Sequence, residues 1–107
     1  MNLNYTGSNS FIVNSSEDCS PAIAVMNQIA SKRYEIKSIS IDSAAQTVTI
    51  SEGTGATASK SLLTFTTGTG PFNIDFVKKM RLGANKSIVI TGSANDVITF
   101  CIQGDIK

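Results

Sequence analysis

The sequence predicts an all-β protein, a single β-sandwich or jelly-roll-like domain of about eight short antiparallel strands behind an extended N-terminal arm. Three observations predict it. Ile, Val and Thr supply 30 of the 107 residues, a composition suited to pleated, half-buried surfaces. Short apolar runs recur at regular intervals between clusters of Gly, Ser, Asn and Asp, as in sandwiches and jelly rolls. No stretch carries a convincing helical period. At 41% hydrophobic residues the chain is too apolar for disorder, and its length suits one core.

Residues 1–20 are polar and rich in Asn and Ser, with one apolar run, Phe11-Ile12-Val13. They read as an arm with an edge strand. Two roles stay open: a frayed terminus, or an arm that docks on a partner through Phe11, Ile12 and Val13. The sandwich domain then spans residues 21–107. Pro21-Ala22-Ile23-Ala24-Val25-Met26 reads as a strand, with a helical turn as the alternative. In residues 34–41 the alternation slips, because Tyr34 and Ile36 share one face while Ile39 and Ile41 share the other. A β-bulge near Lys37-Ser38 brings all four to one side. The alternative is a strand buried on both faces, one of them by another subunit.

Residues 46–51 alternate cleanly, with Val48 and Ile50 inward. Residues 52–59 read as a flexible loop whose two glycines permit positive φ. Residues 61–66 form a strand with Leu63 and Phe65 as its core pair, and residues 67–70 a further loop. Phe72, Ile74 and Phe76 face inward on the next strand, which Pro71 opens at a position where its missing N–H costs little. Residues 77–82 hold the one local cluster of positive charge, Lys78, Lys79 and Arg81, which reads as a solvated strand end or as a contact for an acidic surface. Residues 86–103 close the chain as a β-hairpin: two β-branched runs around Gly92-Ser93-Ala94-Asn95-Asp96, with Ile88 and Ile90 on one face and Ile98, Phe100 and Ile102 on another.

The charge balance narrows the function classes. Nine basic and eight acidic side chains leave a net charge of +1, which lacks the clustered Lys and Arg of a nucleic-acid footprint or a polybasic membrane patch. No apolar run approaches a membrane span. The N-terminus lacks the basic and apolar regions of a secretion signal, so synthesis in the cytosol is expected. Cys19 and Cys101 are either one disulfide or a buried and a surface thiol, and a reducing compartment favours the thiols.

No histidine is present, which removes His-based triads, His metal sites and the usual general base. Two cysteines without other soft ligands make no structural zinc site. Asp42, Glu52 and Asp75 are candidates for a glycosidase-like pair, against the commoner reading as solvated carboxylates. Gly53-Thr54-Gly55 and Gly68-Thr69-Gly70 lack the lysine and hydroxyl ending of a phosphate loop and read as turns. The expectation is a protein that is not an enzyme and holds no cofactor or metal.

The order of pieces carries a resemblance. Ser31-Lys32-Arg33-Tyr34-Glu35-Ile36 opens a strand, followed by Ala44-Ala45-Gln46-Thr47-Val48-Thr49-Ile50 and Glu52-Gly53-Thr54-Gly55-Ala56-Thr57. Later come Gly83-Ala84-Asn85-Lys86-Ser87-Ile88-Val89-Ile90-Thr91-Gly92 and a last strand near the C-terminus. Over residues 21–103 this resembles small β-sandwich structural proteins of tailed bacteriophages, which decorate or cement the capsid or sit between head and tail. Its motifs are strand-and-turn patterns. The resemblance implies a non-enzymatic virion subunit, made in the host cytoplasm, that binds the major capsid protein or another virion protein. It also implies a homo-oligomer, with a trimer favoured, and no nucleic-acid or membrane partner.

Apolar groups on both faces of strands point the same way: Ile39 and Ile41, Val89 between Ile88 and Ile90, and Val97 and Cys101 opposite Ile98 and Phe100. Either subunit contacts or the chain's own loops and N-terminal segment cover them. Phe11, Ile12, Val13, Lys78, Lys79, Arg81 and Val97 are therefore the candidate partner-binding residues. The alternative function is a receptor- or carbohydrate-binding module of a phage tail or fibre, with the ligand on residues 52–59 and 67–70. The absence of Trp and the presence of only two Tyr weigh against it.

Overall fold

The structure is a computed structural model that describes residues 2–7 by their backbone, and residues 9–68 and 70–107. Met1 and Ser8, expected in the arm, and Thr69, expected in the loop at residues 67–70, lie outside the described residues. Among the described residues nine strands form: β1 (Asn2–Gly7), β2 (Ser10–Asp18), β3 (Ile23–Met26), β4 (Tyr34–Ser43), β5 (Thr47–Thr54), β6 (Thr57–Thr66), β7 (Phe72–Arg81), β8 (Ser87–Gly92) and β9 (Val97–Ile106). They make two antiparallel sheets, a larger one in the order β1-β2-β9-β4-β7 and a smaller one in the order β3-β8-β5-β6.

The pairing is nested. β2 pairs with β9, β3 with β8, β4 with β7 and β5 with β6. The chain is thus one long antiparallel ribbon, rolled up so that β9 also meets β4 and β8 also meets β5. That is the topology of a jelly roll. It corrects the closing hairpin: β8 and β9 belong to opposite sheets, and residues 93–96 carry the chain across the sandwich.

It also corrects the arm. β2 pairs with β9 along its whole length, from Ser10–Asp105 to Asp18–Val97, and lies inside the larger sheet with β1 as the edge. Phe11 and Val13 are buried in the core, and the Phe11 ring meets Tyr34 edge-on at 5.3 Å. These two side chains cannot serve a partner, because both point into the core between the sheets, where Phe11 packs on Tyr34.

The slip in β4 is a bulge. Ile36 faces Gly104 and Ser38 faces Gln103, leaving Lys37 unopposed. Tyr34, Ile36, Ile39 and Ile41 consequently all enter the core. The bulge brings the Glu35 carbonyl to 2.0 Å from where a Cβ at Gly104 would sit, so no other residue fits there without displacing backbone.

Residues 52–59 are not a loop. β5 and β6 continue to a two-residue turn at Gly55-Ala56, with Gly55 at φ 57°. The turn is tied to its surroundings: the Gly55 N–H donates to Gln28 Oε1, and Ser87 Oγ donates to the Gly55 carbonyl. At the opposite end of the sandwich one buried amide joins two crossings. Gln46 Nε2 donates to Ser43 Oγ at 2.7 Å and to the Asp96 carbonyl, while its Oε1 accepts from the Ala94 N–H.

Apolar faces are covered within the chain at two of the three places where the sequence left the question open. The β4 bulge resolves Ile39 and Ile41. Val89 lies between Ala24 and Ser51 on the face opposite Ile88 and Ile90, yet it is fully buried. The accessible area of 5500 Å² is close to the roughly 5,700 Å² expected of a folded monomer of this mass, so core burial needs no neighbour.

Ile98→Ala or Phe100→Ala, each emptying a fully packed site, is expected to cost about 2–5 kcal/mol in urea denaturation. Gly104→Ala is expected to destabilise toward the upper end of ~1–3 kcal/mol, because the clash is with backbone. A wild-type urea midpoint for Gly104→Ala would contradict the bulge geometry.

Candidate interaction surface

One open surface is the outer face of the larger sheet with its β7 edge. Across that face run polar rows set by register: Asn14, Cys101, Ser40 and Asn73 in one, and Ile12, Gln103, Ser38 and Asp75 in the next. Ile12, the middle member of the apolar triplet, is half-buried there. Gln103 Nε2 donates to Ser38 Oγ at 2.7 Å, and Ser16 and Thr99 share a hydroxyl hydrogen bond at 2.8 Å. A shallow trough of about 210 Å³ follows the Cys101 row, and its ionisable side chains are Asp42 and Cys101 alone. A second depression of about 350 Å³ adjoins it over Asn14, Ser15, Ser16 and Thr99, open like the first and within the ~300–1,000 Å³ usual for small-ligand pockets.

The β7 edge is irregular for a reason visible in its register. Ser38 pairs with Asp75 and Ile36 with Met80, so residues 76–79 bow out against the single bulge residue Lys37. Val77 rides the apex, fully exposed at 108%, with exposed Lys78 beside it. The sequence-based expectation passed over Val77. The signal was there in the adjacent Phe76-Val77 pair, which breaks the alternation of Phe72, Ile74 and Phe76. A bowed edge of this kind resists strand addition by another chain.

The basic cluster divides. Lys79 makes an ion pair with Asp105, and Arg81 pairs with Glu35 at 3.0 Å. The hydrogen bond to Asp105 raises the Lys79 ammonium above its ordinary value, and the same bond lowers the Asp105 carboxyl. Both groups are reached by solvent, so the pair is a modest, salt-sensitive contribution. Lys78 remains pointed outward. Val97 is 55% exposed at the start of β9, opposite Asp18. Val97, Lys78 and Val77 therefore remain accessible, while Phe11 and Val13 do not.

The two cysteines are free and separate. Cys19 is buried at the end of β2, and burial, then Glu17, then Asp18 push its thiol up to about 11. Cys101 is partly exposed on the outer face. The carboxylate candidates do not meet. Glu52 accepts from the Gly83 N–H in the smaller sheet. Asp42 and Asp75 face β9 and β4 at Thr99 and Ser38. The four residue steps along β4 from Ser38 to Asp42 separate them by about 13 Å, beyond the spacing of a glycosidase pair. Among the described residues no group of three or more potential metal ligands converges.

No protein-family model matches this chain, and the search of curated proteins finds no match.

At pH 8, maleimide is expected to label Cys101 well before Cys19, with both labelled after denaturation. Equal rates in the folded protein would contradict the burial of Cys19. The lowered Asp105 carboxyl also predicts a pH effect. The pair's contribution is present above the ordinary carboxylate value of 3.8 and is lost as pH falls through the lower folded value. Asp105→Asn should remove that part of the acid-side loss of stability, measured by denaturation midpoints across the acid range.

Proposed function

We propose that this protein is a non-enzymatic structural subunit of a tailed-phage virion, a capsid decoration protein that binds the shell and bridges its subunits. The observation that carries the reading is the eight-stranded jelly roll formed by β2–β9, self-sufficient in its core and small enough to sit as an appendage on a larger surface. Jelly rolls serve in viral capsids and in lectins, so the fold argues by analogy and the surface must decide. That surface favours protein contact. Among the described residues Val77 and Val97 are the large exposed apolar groups, and Lys78 flanks the first.

The carbohydrate-binding alternative draws less support. Residues 52–59 form a tight hairpin in place of an open ligand loop. Tyr34, Phe11 and Phe100 are buried, and Phe65 stacks on Phe72 at 4.5 Å, which leaves those rings unavailable as a sugar platform.

In this reading the partner is the major capsid protein or another virion protein, and shell symmetry multiplies each small contact. The test is mass spectrometry and electron microscopy of purified particles from the phage that encodes the chain. The protein should be present at stoichiometric copy number, and its loss should lower the temperature or osmotic shock the particle withstands. Absence from the particle, or an unchanged particle without it, would overturn the proposal. Val77→Asp combined with Lys78→Glu should leave the domain folded and reduce its incorporation on the order of tenfold or more, as expected for losing an exposed contact centre.

A further inference from the structure

The charges of this chain are sorted along its length in space. The ten-residue strands span about 33 Å, and register places the lysines and arginines in one half of that length, with Lys60 opposite Glu52 near the β5–β6 turn and Lys37 at the β4 bulge nearest the middle. Lys32 and Arg33 lead into β4, Lys107 follows β9, and the Arg33 and Lys107 backbones hydrogen-bond to each other. Lys78, Lys79 and Arg81 occupy the last turns of β7 beside them. Lys86 enters β8 at the same end, where Ser87 meets Gly55. Four carboxylates share this half, namely Glu35, Glu52, Asp75 and Asp105, leaving it at net +5.

The opposite end holds no basic side chain. Glu17 and Asp18 finish β2, Asp42 lies near the end of β4 and Asp96 stands just before β9. Asp18, Asp42 and Asp96 are exposed, and this end carries net −4. Exposed Val97 sits among them, paired with Asp18.

We propose that copies of this chain associate end to end, the acidic end of one seated on the basic end of the next. The occupant is a second copy because both complementary surfaces belong to the same chain. Its net charge of +1 leaves little repulsion between copies. The poles are separated by several screening lengths of about 8 Å at physiological salt, so neither neutralises the other within one molecule, whereas a neighbour in contact does. Val97 supplies an apolar centre for the acidic side. The contact joins two different surfaces, so it propagates as a ring or a filament and does not close as a twofold dimer. The inference does not rest on the virion reading, and its test uses the purified chain alone.

Sedimentation velocity at about 10 mM and about 1 M salt, where charges act over ~30 Å and ~3 Å, should show association at low salt that weakens on the order of tenfold or more at high salt. Two variants complete the test. Asp18→Lys/Asp42→Lys/Asp96→Lys removes the acidic end, and Lys32→Glu/Arg33→Glu/Lys107→Glu removes the basic end. These side chains lie at the surface, and circular dichroism checks that each variant keeps its sheet. Each alone should be monomeric at low salt. Mixed, the first still offers an intact basic end and the second an intact acidic end, so a 1:1 complex should form. A monomeric wild type at low salt, association indifferent to salt, or a mixture that stays monomeric would each overturn the proposal.

Discussion

The rest of this structure depends on β9 being paired along both sides. β2 hydrogen-bonds to one edge and β4 to the other over nearly its full length. Its inward residues Ile98, Phe100, Ile102 and Ile106 are all buried. Those two pairings join chain segments from opposite ends of the sequence, so the last strand holds the ribbon rolled. The other pairings nest inside it: β3 with β8, β4 with β7, and the local β5–β6 hairpin at the ribbon's tip. A parallel-free, fully nested ribbon satisfies the backbone of every interior strand and places the edges on β1, β7, β3 and β6.

Accommodation along β9 requires the bulge at Lys37. Without it, Tyr34 and Ile36 would face solvent while Ile39 and Ile41 faced the core, since one residue of slip flips a strand's faces. The bulge imposes Gly104 on the partner strand and bows β7 outward on the other side. The same local irregularity thus secures the core and creates the exposed Val77-Lys78 knuckle. Bulges also break β6, where Leu62 and Ser59 have no opposite residue on β5. Both long edge strands are therefore poor templates for strand addition, which leaves side-chain surfaces as the means of contact.

Along those surfaces, polarity is organised more than chemistry is. The outer sheet face is a carpet of short hydroxyl and amide side chains that bond to one another. The charged groups either pair locally, as Lys79 does with Asp105 and Arg81 with Glu35, or gather by sign at the two ends. Asp42, Glu52 and Asp75 stand apart from one another, and burial holds the Cys19 thiol in its protonated form. What the molecule offers to its surroundings is shape, a few apolar points and a charge gradient along its strands.

The sequence by itself determined the class and much of the local geometry. Alternation of Val48 with Ile50 and of Phe72 with Ile74 and Phe76 specifies strands, because a period of two is a property of neighbouring residues. The slip between Ile36 and Ile39 even located the bulge, since four apolar groups must reach one core. Cys19 and Cys101 read as a buried and a surface thiol among the alternatives. Tertiary structure alone decided the rest. Which strands pair is a non-local matter, so β8 and β9 read as a hairpin although they part to opposite sheets. Phe11 and Val13 read as part of a frayed terminus or a docking arm because nothing nearby in sequence shows that β9, some ninety residues on, will pair with their strand and set them into the core. Residues 52–59 read as a loop because Gly, Thr and Ser form strands only when a neighbour such as β8 supplies the hydrogen bonds. The sorting of charge into two ends has the same origin: the signs are scattered along the chain, and only the rolled ribbon brings each set together.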